Sequence, residues 1–308
     1  MREYVIIILV FAVLLFTVPF LPLGSISAQA PNAASFPEKF TILLESGKIL
    51  EMSVIDYLTG CLFAQIPVNY SENALKAQAI AAHTYALRLI ASGVALSDSP
   101  TECQPFFTEE KAREHYGSEY NAYYSRVRRA AEYGAKRVIL HSGEPIYAVY
   151  HSISSGVTNT ASTVWGRDYP YLKSVGSSWD REHEHYLCTN EMTTDYMRLS
   201  LLEYDKTLTM PVDYSLWFTD VVKNDYGYVM SLKAGSTPLS GGDMWRMFNL
   251  RSIAFEITYN GNAFSIETRG FGHGVGLSQY GAEVLSGRGY SPEEILKYYY
   301  TGVEIIEL

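Results

Sequence analysis

The run from Gly270 to Ala282, Gly-Phe-Gly-His-Gly-Val-Gly-Leu-Ser-Gln-Tyr-Gly-Ala, constrains this chain most. Five glycines, four of them at alternate positions, surround His273. Each glycine inside a strand costs backbone entropy and offers no side chain to pack, so a regular strand does not accept this many. The pattern predicts backbone with positive φ, or a main chain that another molecule approaches closely. A lone imidazole on such a backbone reads as a ligand-contacting group. The competing reading is a tight turn whose histidine bonds a nearby carbonyl.

The remaining composition bounds the function classes. With 308 residues the chain is long enough for one large domain or two small ones, and 47% apolar residues is ordinary for a sizeable core. A formal charge of −9 and the lack of any dense Lys/Arg run argue against a nucleic-acid partner. Tyrosine is abundant, at 25 copies, and rings with a polar edge suit sugars as well as cores.

Residues 1–30 read as an export signal. Arg2 gives a minimal positive start, Tyr4 to Phe20 is almost wholly apolar, and Ala28-Gln-Ala30 offers a small-residue cleavage site. The apolar stretch reaches Leu23, near the length of a membrane span, so a retained anchor is the alternative. Both readings put residues 31–308 outside the cytoplasmic membrane, in the cell wall or tethered to the membrane by the N-terminus. Of the three cysteines, Cys61 reads as a buried small hydrophobe, and Cys103 with Cys188 is an available pair that nothing requires.

Along the chain, Phe40 to Met52 predicts a hairpin around Ser46-Gly47, and Val54 to Ile66 a short helix ended by Pro67. Ser71 should cap a long helix that stops at Gly93, with an alanine-rich centre suited to close packing. Helices are expected at Glu109 to Tyr116, Ser125 to Tyr133 and Pro292 to Tyr300. Hairpins are expected around His141-Ser-Gly-Glu144 and around Asn260-Gly261. Ser152 to Gly166 reads as a Ser/Thr-rich loop. Thr189 to Leu250 reads as a helix or two with a turn at Ser240-Gly-Gly242.

Four blocks then carry a resemblance. Asn73 to Leu87 contains Ala-Leu-Lys-Ala-Gln-Ala. The second block is His151-Ser-Ile-Ser-Ser-Gly156, followed by Val164-Trp-Gly166 and Pro170 to Val175. The third is the glycine-rich run, and Gly289 to Tyr300 is the fourth. In this order and at these distances they resemble the SpoIID/LytB family, from about residue 40 to the C-terminus. The resemblance implies an α+β fold, a single mixed domain of helices and short antiparallel strands around a glycan-binding groove. It also implies peptidoglycan glycan strands as ligand, no cofactor, and lytic transglycosylase chemistry between MurNAc and GlcNAc. In that chemistry one acid protonates the glycosidic oxygen and then, as a base, takes the proton of the sugar's own C6 hydroxyl. Its pKa must be raised to hold a proton near neutral pH.

The family carries that acid in a Glu-Met-Pro motif before the Ala-Leu-Lys-Ala-Gln helix. Here the matching tripeptide is Gln65-Ile66-Pro67. An amide can hydrogen-bond a sugar, but it cannot deliver a proton to a leaving oxygen. Glu72 is the nearest substitute, yet it falls at a helix start, where the dipole lowers a carboxyl pKa. Asp56, Glu45 and Glu51 have no motif behind them. The resemblance assigns sugar contacts to Gln104, His151, Ser152, Ser154, Gly156, His273, Ser278 and Gln279, and Trp165 has a ring able to stack on a sugar. Some members hold zinc on Cys and His residues before Gln104. Here that loop keeps only Cys103, so no metal site is expected there, and His183-Glu-His185 with Cys188, which has ligand types at short spacing, reads as a polar surface turn with metal binding as the lesser alternative. Three functions remain open. One is a strand-binding protein that has lost its acid and assists a partner amidase. The second is an active transglycosylase with a relocated acid. The third is a structural member of a sporulation engulfment complex.

Overall fold

The computed structural model describes residues 36–44, 46–98 and 103–308. The expected signal or anchor, and Glu45, lie outside the described residues. No helix among the described residues is long and apolar enough to cross a membrane.

The chain opens with the hairpin β1 (Lys39–Leu43) and β2 (Ile49–Ser53). Ser53 then caps α1 (Val54–Gln65), its hydroxyl accepting the Asp56 amide. The long helix α2 (Glu72–Ala91) follows, ending where Ser92 and Gly93 fold back. Its Leu75, Ala79, Ala82 and Ala86 pack into one apolar cluster, with α1 and β1. Its Ala74, Ala77, Ile80 and Ala81 pack into a second. A helix buried on two sides cannot be amphipathic, and its small residues let neighbours come close. Gly134, at the end of a crossing helix, lies so near that an added Cβ would sit 2.5 Å from the Ala79 Cβ. Each fully buried Leu75 or Ile80 contributes about 1.5–3 kcal/mol.

Ser71 stands at the N-cap of α2 as expected, but its hydroxyl caps nothing. Its amide and Oγ both donate to Glu283 Oε2, at 2.6 Å each, so an acid from a distant helix takes the capping role.

β3 (Leu96–Ser97) adds to β1 in parallel. Helices α3 (Glu109–Tyr116) and α4 (Tyr120–Gly134) follow, the latter starting earlier than its sequence pattern indicates. β4 (Arg137–His141) turns into β5 (Glu144–Pro145). That strand ends at Pro145, and residues 146–149 are irregular. β6 (Tyr150–His151) instead leaves to pair elsewhere, and α5 (Ala161–Trp165) interrupts the Ser/Thr-rich loop.

Residues 187–269 gather a third cluster of their own. It holds β7 (Leu187–Thr193), α6 (Thr194–Tyr204), β8 (Phe218–Lys223), β9 (Val229–Ala234), β10 (Thr237–Ser240), α7 (Gly241–Met247) and the hairpin β11 (Phe255–Tyr259) and β12 (Ala263–Arg269). The order β10-β9-β8 is a sheet that the helix-and-turn reading of this region missed. The Ser240-Gly-Gly242 turn is a helix start. Ser240 Oγ accepts the Asp243 amide while the Asp243 carboxylate accepts the Ser240 amide.

β13 (Leu277–Ser278) returns to pair in parallel with β6, followed by α8 (Gln279–Gly287), α9 (Pro292–Tyr299) and β14 (Glu304–Glu307) against β4. The described chain is a mixed α+β fold of helices and short strands, most pairs antiparallel and two parallel.

The glycine-rich run explains itself in this frame. Gly272 has φ +101° and Gly276 φ +74°, both left-handed. An added Cβ at Gly276 would lie 2.1 Å from the Val149 carbonyl oxygen, and at Gly272 2.9 Å from the His151 Cβ. The molecule that comes close to this main chain is the protein's own segment 149–154, bridged through Ile153 to Phe271 and through Tyr150 to Leu277.

Candidate functional site

A cavity of about 320 Å³ is lined by Gln65, Tyr85, Cys103, Gln104, Pro105, Val149, Tyr150, Trp165 and His273. It therefore brings together Gln65, Gln104 and His273, three positions far apart in sequence. Gln65 ends α1, and its backbone carbonyl is one of the orphan acceptors of a helix C-terminus. The Gln279 side chain donates to that carbonyl at 2.9 Å and to Gln78 Oε1 at 3.3 Å. Gln78 belongs to the Ala-Leu-Lys-Ala-Gln-Ala block and Gln279 to the glycine-rich run, so two sequence blocks meet on the backbone that holds position 65.

The amides are fixed as well. Gln65 Nε2 donates to the Pro105 carbonyl at 2.5 Å. Gln104 Nε2 donates to the Ala82 carbonyl at 2.8 Å and to the Tyr57 hydroxyl at 3.1 Å. Both amide oxygens therefore face Tyr150, whose hydroxyl lies 2.6 Å from Gln65 Oε1 and 2.7 Å from Gln104 Oε1. Burial pushes the Tyr150 pKa well above the usual phenol value, so the hydroxyl keeps its proton. One proton faces two acceptors, which leaves an oxygen able to accept from a hydroxyl entering the cavity.

His273 is held by its own loop. Its Nδ1 accepts the Val275 amide at 3.0 Å, which places the ring proton on Nε2. Desolvation pushes its pKa down to about 4, and the ring is neutral. Trp165, 47% exposed, stands at the rim with its ring 5.1 Å from that imidazole. His151 lies behind, 5.8 Å from His273, its Nδ1 on the Val275 carbonyl at 3.1 Å and its Nε2 buried without a partner among the described residues. Desolvation, with His273 adding to it, lowers its pKa to about 3.

The other positions assigned as sugar contacts lie in the frame around the cavity. Ser152 is half-buried outside the lining, and its carbonyl accepts the Tyr280 amide. Ser154 is fully buried, its Oγ accepting the Gly156 amide, and the Gly156 carbonyl accepts the Ser177 amide. Ser278 is buried and caps α8 by accepting the Gly281 amide. Gln279 is buried on Gln65 and Gln78 as described. The side chains of Ser154, Ser278 and Gln279 thus spend polar atoms inside the protein.

No carboxylate lines the cavity among the described residues. Glu72 lies outside it, half exposed and paired with Lys76 at 2.8 Å, and that lysine holds its pKa below the ordinary value. Glu102, beside Cys103 in sequence, lies outside the described residues. Asp56 sits elsewhere, in an exposed pair with Arg128, and Glu51 pairs with Lys39 on the surface. Cys61, Cys103 and Cys188 are all free. No group of three His, Cys, Asp or Glu side chains is placed to hold a metal ion among the described residues.

Sequence reasoning missed Tyr85, Pro105 and Tyr150, because a tyrosine among 25 carries no spacing signal. It also missed Asp180, fully buried, whose Oδ2 accepts the Ser154 amide at 2.8 Å. Burial pushes its pKa from 3.8 up to about 6, against the pull of the Ser154 contacts. Between those values the folded chain holds a proton that the unfolded chain has released, so stability falls as pH rises through that window and is flat above it. The difference amounts to about 3 kcal/mol. Asp180→Asn is expected to remove this slope: denaturant unfolding at pH 4.5 and 7.5 should show the variant gaining on the wild type at the higher pH. An equal offset at both values would contradict it.

Comparison with known proteins fits this geometry. A family model described as stage II sporulation protein matches residues 45–141, which contain α1, Gln65, α2 and Gln104. The stage II sporulation protein D of Bacillus subtilis is 31% identical over 260 residues, 82% of this chain and 74% of that protein. That of Bacillus amyloliquefaciens is 32% identical over the same shares. The amidase enhancer of Bacillus subtilis is 25% identical over 80% of this chain and 40% of its own length. With this identity across most of its length, the chain belongs to the stage II sporulation protein D family.

Proposed function

We propose that this chain acts in sporulation outside the cytoplasmic membrane as a protein that holds peptidoglycan glycan strands without cutting them. In this reading it presents strands to a partner amidase, as the name of the amidase-enhancer relative invites. The observation that carries the reading is the chemistry of the Gln65 cavity. Its lining offers an open amide oxygen, tyrosine hydroxyls and an exposed tryptophan, which suit a sugar. Its only groups able to carry a proton among the described residues are Tyr85, Tyr150, Cys103 and His273, and none is a carboxylate.

A neutral amide at position 65 is the closest mimic of a protonated acid. It donates to Pro105 and accepts from Tyr150, as a carboxylic acid would, and keeps the cleft without the proton that cleavage needs. A relocated acid at Glu72 has the wrong place and the wrong shift, because its lysine favours the ionised form.

The test is strand binding by the purified protein. Wild type is expected to bind peptidoglycan strands stripped of stem peptides, and Trp165→Ala to weaken binding about tenfold, the loss of one stacked ring. Glu72→Gln and Glu102→Gln should leave binding and the absence of products unchanged. No binding by the wild type would overturn the reading.

A further inference from the structure

A second cavity of about 380 Å³ adjoins the first. Its lining includes Arg88, Arg167, Glu144, Asp168 and Tyr169. The two cavities share elements. Tyr85 lines the first and Arg88 the second, three residues apart and so on one face of α2. Trp165 and Arg167 divide between them in the same way. The ground between is aromatic: the Tyr147 and Tyr169 rings lie 5.3 Å apart, and the Arg88 guanidinium stands 4.8 Å over Tyr147.

The lining of the second cavity holds two guanidiniums and two carboxylates, and only one pair of them is joined. Glu144 is taken by Arg88 Nη1 at 2.8 Å, and Asp168 faces Lys173 at 3.6 Å. Arg88 Nε is buried and has no hydrogen-bond partner among the described residues. Arg167 is exposed, stacked 5.2 Å over Tyr169, with no acid within ion-pair distance among the described residues. Lys173, from outside the lining, draws on Asp168, so Arg167 is left without a counter-charge of its own on a chain whose formal charge is −9. A guanidinium held flat on an aromatic ring, its fork of donors free, is an arrangement that takes a carboxylate bidentately.

We infer that the Arg88/Arg167 cavity is a carboxylate subsite, which reads the acidic group of the strand whose neighbouring sugar occupies the Gln65 cavity. This rests on the strand-binding reading above and goes beyond it, since it makes binding selective for acidic strands over neutral polymers of N-acetylglucosamine. The carboxylate has two sources on a wall strand: the lactyl ether of muramic acid with its peptide removed, or the stem peptide itself.

The test measures binding of three probes by the full chain. These are neutral N-acetylglucosamine oligomers, muramic-acid strands without peptides, and the same strands with stem peptides. Wild type is expected to bind an acidic strand about tenfold more tightly than the neutral oligomer, with the preference shrinking at high salt. Preference for stripped strands assigns the lactyl carboxylate, and preference for intact strands the peptide carboxylate. Arg167→Gln should abolish the preference and leave neutral-oligomer binding unchanged. Glu144→Gln, which frees Arg88, should enlarge it. Effects of opposite sign exclude a folding defect. Equal wild-type binding of all three probes, or a preference that survives Arg167→Gln, overturns the subsite while leaving the first cavity intact. Failure of the wild type to bind any of the three probes overturns the first cavity instead.

Discussion

Gln65→Glu is expected to raise transglycosylase turnover by about 10²–10⁴, the usual worth of a general acid, over a wild type proposed to have none. The reason is local. The atom that replaces Gln65 Nε2 sits 2.5 Å from the Pro105 carbonyl, and two oxygens so close require a proton between them. The other carboxyl oxygen faces the Tyr150 hydroxyl, and the cavity around it is uncharged among its described residues. A carbonyl that can only accept, together with desolvation, holds the introduced carboxyl above its ordinary range. Its neutral form is the competent one, so the variant's rate should fall as pH rises through that pKa. Mass spectrometry of the strand ends for 1,6-anhydro sugar, across pH, measures both effects. A variant that binds strands and yields no anhydro ends at any pH would mean that position 65 does not face the glycosidic bond.

The largest loss of stability is expected at Gly276→Ala. A left-handed φ costs an L-residue about 1–2 kcal/mol. The new Cβ would meet the Val149 carbonyl oxygen at 2.1 Å, and backbone cannot step aside as a flexible side chain can. Overpacking of this kind adds about 1–3 kcal/mol, for a total of about 2–5 kcal/mol. Gly47→Ala is the control, since Gly47 has φ +79° with nothing near its added Cβ. It should lose only the conformational part. Urea unfolding of the two variants separates the terms. Equal losses would mean that the glycine-rich run is not clamped against segment 149–154.

Much of the frame was legible in the sequence, and the reasons are specific. The Ser46-Gly47 and Asn260-Gly261 hairpins, α1, α3 and α9 each carry local turn or cap chemistry that decides the structure within a few residues. The alanine-rich centre of α2 announced a buried helix, and it is buried on two sides. The sheet of β8, β9 and β10 was hidden, because β8 buries no residue fully, β9 breaks its alternation and β10 is only four residues long. The capping of α2 by Glu283 was also hidden, as a partner more than 200 residues away leaves no local mark. The cavity was half legible. Gln65 and Gln104 came from the family resemblance, His273 from that and from its glycine-rich run, and all three line it, whereas Tyr150, which orders both amides, came from topology. The serines of the 151–156 block and of the glycine-rich run have a residue type that suits sugars, yet Ser154 and Ser278 serve the backbone instead. Composition cannot distinguish a hydroxyl facing a ligand from one facing an amide.

The central claim is that the Gln65 cavity holds a glycan strand and does not cut it. Wild-type protein incubated with peptide-free strands, with bound strand and anhydro ends quantified in the same sample, tests it most directly. The account predicts bound strand and no anhydro ends above the protein-free control. Anhydro ends released by the wild type, or strands left wholly unbound, would contradict it.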